Sequence, residues 1–331
     1  MNKPTSLIPT LLSVAITTAC ATQDPARVSD PSLAPVVDPV RQIAEADQAQ
    51  RGQDGAWADA PDPGDKAMAP EFDLRSYPKF RDDELAAFRA QPGGGLGKAA
   101  AIASDVVAVV NLADGSTQVT IYDPAPGVEP LELVDQLRAT GMQGVGLVEH
   151  LPSEAALAPS DCAYGNARTF GCPVSFWHNN GLEDPLVRFN DHSASWWPVS
   201  AAVPKWNQVQ NIDSSYRFNA CGAPAGARCV DVYSGNYGAT GWIGLTTMFY
   251  PTSTRSGAFR DSGNYVQLND YYDPATRPFT RNDVATHELG HALGLGHNLY
   301  SGDVLYYIAN KREDIGGQNP VLLANLYSIT R

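Results

Sequence analysis

Three observations along the chain predict an α+β fold. Short apolar stretches with strand-like alternation recur, as in TQVTIYD (117–123) and NYVQLND (264–270). Between them stand segments with apolar residues at helical spacing, PLELVDQLRATG (130–141) and SWWPVSAAVPKWNQV (195–209). Near the end, HELGHALGLGH (287–297) gathers three of the six histidines, the first two one helical turn apart.

Composition sets the outer bounds. A chain of 331 residues holds one or two domains, and 43% hydrophobic residues with 25 Pro and 29 Gly suit a globular protein carrying some unstructured sequence. The formal net charge of −13, without clustered Lys and Arg, excludes a nucleic-acid surface. Beyond the N-terminus no apolar run reaches the ~20 residues that span a bilayer.

The elements follow in order. MNKPTSLIPTLLSVAITTACA (1–21) reads as an export signal, with one Lys and an apolar segment from Leu7 to Ala19. Two processing routes stay open: a lipobox in which Cys20 is lipidated, although Thr17 replaces the usual Leu, or cleavage at the small residues Ala19 and Ala21. Export places the remaining cysteines in an oxidising compartment, where the close pairs Cys162–Cys172 and Cys221–Cys229 read as two local disulfides. Each would contribute roughly 2–3 kcal/mol.

Residues 21–100 have few large apolar side chains and read as a flexible tether. A small ββαβ unit follows at 101–155. VVAVVNL (106–112) and TQVTIYD flank the turn residues Asp114-Gly115, a hairpin signal. Leu131, Val134 and Leu137 form a helical stripe capped by Gly141, and VGLVEH (145–150) is a third strand. The unit is either a pro-segment shielding a site or a structural extension of the main domain, since it is small for independent folding.

The main domain spans 160–331. VSFWHN (174–179), LVRFND (186–191), YRFNAC (216–221), CVDVYSG (229–235), WIGLTTMFY (242–250) and NYVQLND read as strands. Trp196, Val199, Val203 and Trp206 make one stripe of a helix that Pro204 should kink. NPVLLANLYSIT (319–330) closes as a helix with Asn319 capping and Pro320 in its first turn.

The chemistry lies in HELGHALGLGH. His287 and His291 sit about 40° apart on a helix and ~6 Å along it, so both imidazoles reach one ion. Thr280 with Asp283 makes a capping box for that helix. His297 cannot join by staying helical; the chain must turn back, and Gly294 supplies the left-handed terminator. Three imidazoles on a tetrahedral zinc leave one position for water, and Glu288 borders it as general base.

Here the sequence resembles the metzincin zinc endopeptidases, through His287, Glu288, His291, Gly294 and His297 in the pattern HExxHxxGxxH. Among them it looks most like a bacterial matrixin-type protease, over residues 172–331. The resemblance implies a twisted mixed sheet, a zinc helix and a C-terminal helix, with peptide substrate pairing to an edge strand above the zinc helix. It also implies a methionine turn beneath the metal. SGDVLYY (301–307) stands there, with Leu305 in the methionine's slot. That position packs rather than ligates, so Leu should cost less than ~1.5 kcal/mol. Tyr307, two residues on, is by the same resemblance a candidate to hold the oxyanion, although a core tyrosine is an equal reading. No cysteine-switch sequence precedes the domain.

Calcium is a further candidate cofactor through Asp261, Asp270 and Asp273. His150, His178 and His192 show no ligand spacing. The expected protein is an exported monomeric zinc endopeptidase acting on proteins or peptides, touching the membrane only through an N-terminal lipid. The rival from another class is a catalytically silent surface binding protein on the same scaffold.

Overall fold

A computed structural model describes residues 79–90, 103–150, 176–219, 221–222, 227–251, 259–260, 263–272, 279–297, 303–308, 311–312, 314–316 and 319–329. The export signal, Cys20, Cys162 and Cys172 lie outside them. The strands are β1 (Ala103–Asn111), β2 (Thr117–Pro124), β3 (Val145–His150), β4 (Leu186–Asp191), β5 (Asp213–Phe218), β6 (Arg228–Gly235), β7 (Trp242–Tyr250) and β8 (Asn264–Asn269). The helices are α1 (Asp82–Ala90), α2 (Pro130–Ala139), α3 (Val199–Asn207), α4 (Arg281–Ala292) and α5 (Asn319–Ile329).

β1 and β2 fold back on each other because Gly115 takes φ +83° and Asp114 Oδ1 accepts from Ser116 N at 2.9 Å. β3 then pairs antiparallel with the outer side of β1. α2 ends as expected: Gly141 has φ +90° and Met142 N donates to Leu137 O at 3.3 Å. Its buried stripe is Leu133, Val134 and Leu137, whereas Leu131 is 59% exposed. Leu131 lies about 200° round the helix from Leu133, so the sheet covers one and water the other.

The ββαβ unit has the expected elements but is not a separate body. Its strands join those of the main domain in one mixed sheet of eight strands, in the order β3-β1-β2-β7-β8-β6-β4-β5. β4 runs parallel to β5 and β6, and β6 runs parallel to β8. β7 is antiparallel to β8 on one side and to β2 on the other, from Thr117↔Tyr250 to Asp123↔Gly244. β7 is therefore paired on both sides and is not an edge strand.

Strand alternation divides the interior. Val106, Ala108 and Tyr122 pack with the α2 residues Leu133, Val134 and Leu137 on one face. Val107, Val119 and Ile121 face the other way, into the core containing Trp206 of α3, Leu289 of α4 and Tyr327 of α5.

Three local expectations change. Residues 79–90 are docked rather than part of a tether: Leu85 of α1 is buried, Phe80 N donates to Gln208 O at 2.7 Å, and Lys79 pairs with Asp213 at 2.8 Å. Of VSFWHN, residues 176–179 are described: Phe176 forms a bridge, its carbonyl accepting from Phe259 N at 2.9 Å, and the Trp177 indole donates to Ala292 O at 2.9 Å. α3 starts at Val199, after Pro198, which disfavours helical backbone at Trp197, and it runs through Pro204.

Cys221 and Cys229 form the expected disulfide between β5 and β6. Arg188 braces that loop by donating to Cys221 O at 3.0 Å and Gly222 O at 2.5 Å. No helix among the described residues is long and apolar enough to cross a membrane.

Candidate metal centre

α4 begins where the sequence places it. Thr280 Oγ1 accepts from Asp283 N at 3.0 Å, satisfying an otherwise unpaired first-turn donor. The Asp283 side chain accepts from Lys311 N at 2.8 Å. Gly290, inside the histidine pair, lets Trp206 and Leu305 pack close: a Cβ there would lie 2.7 Å from Trp206 Cζ2 and 3.0 Å from Leu305 Cδ2.

The helix ends through Gly294, at φ +113°. Leu295 N donates back to Gly290 O at 3.1 Å, closing the terminator. This reversal returns His297 to the first two histidines. His287 Nε2 lies 2.8 Å from His297 Nε2 and 3.0 Å from His291 Nε2, and the remaining pair is 3.1 Å apart.

Two of the three Nδ1 atoms are taken by carbonyl acceptors. His287 Nδ1 donates to Val304 O at 2.6 Å, and His291 Nδ1 donates to Leu295 O at 2.8 Å. His297 Nδ1 lies 2.5 Å from Asp105 Oδ1. Carbonyl oxygens only accept, so the proton of His287 and of His291 sits on Nδ1 and the Nε2 lone pair faces inward. Burial first, then neighbouring His291 and His297, holds the His287 pKa well below the ordinary value, so its ring is neutral. Three lone pairs pointing at one place repel unless a cation lies between them. Imidazoles on a tetrahedral ion would stand ~3.3 Å apart, close to the spacing observed. Among the described residues, this is the one group of His, Cys, Asp or Glu with metal-binding spacing.

Glu288 is wholly buried beside the histidines. Its Oε2 accepts from Thr246 Oγ1 at 2.6 Å, and its Oε1 has no hydrogen-bond partner among the described residues. Burial pushes its pKa up to about 8, against the opposing effect of the Thr246 bond. Gly244 of β7 lies against this carboxyl, where a Cβ would collide with Oε1.

Sequence reasoning missed two aspartates of the β1–β2 hairpin. Asp105 and Asp123 follow Val107 and Ile121 on the strand faces turned towards α4. Extending the register by one residue beyond Val106↔Tyr122 sets them opposite each other. Asp123 is 1% exposed, and neither of its oxygens has a hydrogen-bond partner. Oδ2 is 3.9 Å from His287 Nε2, and Oδ1 is 3.9 Å from His297 Nε2. Burial, then the charges of Glu288, Asp283 and Asp105, raises its pKa well above the carboxylate range. A carboxylate buried this way without a partner is costly, and a divalent ion among the histidines would compensate it. The donor set thus fits a metal ion.

Leu305 is fully buried under α4, and its N donates to Asp303 Oδ1 at 2.9 Å. Asn319 at the start of α5 donates to the same oxygen, tying the turn to the closing helix. Tyr307 is half-buried and packs edge-on against Tyr306, with ring centroids 4.7 Å apart. Burial, then Tyr306 and Glu129, raises its phenol to about 12. No contact places it among the three histidines. Of the calcium candidates, Asp261 and Asp273 lie outside the described residues, and Asp270 accepts from the indoles of Trp196 and Trp197 at 3.0 and 2.5 Å.

No protein-family model matches the chain, and no curated protein matches it in sequence. The side-chain geometry therefore carries the functional argument.

Proposed function

We propose that the chain is a zinc-dependent endopeptidase of metzincin type, acting on proteins or peptides. The observation that carries this reading is three converging Nε2 atoms, two of them fixed through Nδ1 bonds to carbonyls, beside a buried glutamate with one free oxygen. The packing of α4 and α5 into one core against a mixed sheet is in keeping with a zincin fold. An all-imidazole donor set suits zinc better than calcium or magnesium, which take oxygen ligands.

A bound zinc supplies Lewis acidity and a water of lowered pKa. The chain's residues do the rest. Thr246 anchors one Glu288 oxygen, leaving Oε1 to take a proton from water and pass it to the leaving amine. Tyr307, protonated across that range, is the proposed donor to the developing oxyanion once substrate enters. The protein would work outside the cytoplasm as a monomer, anchored through Cys20 or free.

The test is cleavage of a mixed peptide library by the zinc-loaded full chain and by Glu288→Gln. Each is assayed intact and after limited proteolysis, because the site lies buried beneath the hairpin. Cleavage that requires zinc and Glu288 is expected, with His297→Ala losing the metal. Equal, chelator-insensitive cleavage by both chains would sink the reading. Tyr307→Phe with unchanged turnover removes Tyr307 from it. Zinc bound at one per chain without cleavage in any form points to the silent binding protein, which the burial of the site favours.

A further inference from the structure

We infer that the outer face of β4 and β5 carries a binding site for a small oxyanion of the phosphate class, built from Arg188, Ser215 and Asn190. It lies across the sheet from the histidines and does not depend on the endopeptidase reading.

Strand alternation puts these side chains on one face. Val187 and Phe189 of β4 and Tyr216 of β5 belong to the core that holds α3, α4 and α5. Arg188, Asn190 and Ser215 therefore point the other way. The pairing sets Arg188 opposite Ser215 and Asn190 opposite Arg217. Towards the other end of the sheet, α2 covers the same face with an apolar layer, Leu133 and Val134 against Tyr122 and Leu245. The β4–β5 end bears polar groups instead. Such residues on a strand face are ordinarily solvated, yet Arg188 is 8% exposed, Asn190 6% and Ser215 3%.

What they lack is partners. Arg188 Nη1 donates to Cys221 O and Gly222 O of the disulfide loop, which fixes the guanidinium. Its Nε is buried and donates to nothing, and no ion pair to Arg188 is found among the described residues. Burial lowers its pKa, with no charge opposing the effect. Asp231, the carboxylate on the same face of β6, is committed to Asn190 Nδ2 at 2.7 Å and His192 Nε2 at 3.1 Å. A buried guanidinium without a counter-ion is costly, and an anion on its Nε–Nη2 edge removes the cost. Ser215 Oγ, next to Arg188 across the ladder, is buried and unpartnered as well.

Asn190 decides the kind of anion. Its Nδ2 donates to Asp231, so Oδ1 is the end left over, buried and without a partner. An acceptor beside two donors suits a ligand that carries an O–H next to its negative oxygens. Hydrogen phosphate carries one, and acetate does not.

The experiment titrates inorganic phosphate into the full chain by calorimetry at constant ionic strength, with acetate in parallel. Zinc-loaded and metal-free protein are both used, and thermal unfolding is followed in the same buffers. Wild type should bind one phosphate per chain, more tightly than acetate, with or without zinc. Ser215→Ala should weaken phosphate about 10-fold. Arg188→Lys, which keeps the charge but loses the fork, should weaken it at least as much. Because Ser215 Oγ has no partner, phosphate-free Ser215→Ala should unfold no earlier than wild type. Wild type that binds no phosphate at millimolar concentration overturns the inference without any variant having to fold. Binding seen only with zinc places the phosphate at the histidines and overturns it too. So does Ser215→Ala that melts early yet binds phosphate like wild type, since its hydroxyl is then structural. Acetate bound as tightly as phosphate overturns the choice of phosphate.

Discussion

Leu305, Gly290 and Trp206 form a single contact beneath the histidine pair. The carbonyl of the preceding residue, Val304, orients His287 at 2.6 Å, so packing at Leu305 sets the position of a metal donor. Leu305→Met should cost less than ~1.5 kcal/mol, being nearly volume-conserving. Leu305→Ala should cost about 2–5 kcal/mol and weaken metal binding as Val304 shifts. Thermal unfolding and metal titration of both variants would check this, and equal losses for the two would refute it. Gly244 is constrained from the other side, by Glu288. Gly244→Ala should lower stability by roughly 1–3 kcal/mol through overpacking, with zinc content unchanged. An unaltered urea midpoint would mean that the Glu288 carboxyl has room to move.

At the scale of elements, local chemistry is what the sequence displays. The Asp114-Gly115 turn, Thr280 before α4 and Gly294 after it each act within a few residues, and each stands where sequence reasoning expects it. Thr280→Ala should cost about 1 kcal/mol while leaving one metal per chain, because the cap lies nearly two turns from His287. Loss of the metal in that variant would show the helix start to be part of the site. What stayed illegible is long-range. The β2–β7 ladder joins residues more than a hundred positions apart, and no local pattern announces that pairing. Asp105 and Asp123 sit at strand ends, where carboxylates are ordinarily solvated. They reveal themselves only by continuing the inward rows of Val107 and Ile121. Leu131 misled for the opposite reason: its spacing fits a helical stripe, but the sheet covers the neighbouring arc. The fold class and the three histidines were thus readable, and the packing of the hairpin beside them was not.

For the whole molecule, the centre couples stability to both pH and metal. In the metal-free chain, Glu288 has its pKa raised by burial from 4.5 to about 8. Between those values the folded state holds a proton that the unfolded state has lost, so stability falls as pH rises. Asp123, raised by burial and then by Glu288, Asp283 and Asp105, acts in the same direction. His287, lowered by burial and by its neighbouring histidines, opposes them, but only below its ordinary value of 6.5. From pH 6.5 to 8 each of these two carboxyls can remove up to about 1.4 kcal/mol per pH unit. Zinc bound at the histidines would reverse the penalty, since it binds deprotonated ligands and compensates their charge. The stability gap between zinc-loaded and metal-free chain should therefore widen from pH 6.5 to 8. His192, where burial lowers the pKa but the Asp231 bond and charge raise it on balance, lies away from the histidine cluster and drops out of the difference. Urea unfolding at the two pH values, with zinc or with chelator, measures the gap directly. A gap that narrows would mean that the buried carboxyls do not face the metal, and that the histidines bind it without the hairpin's help.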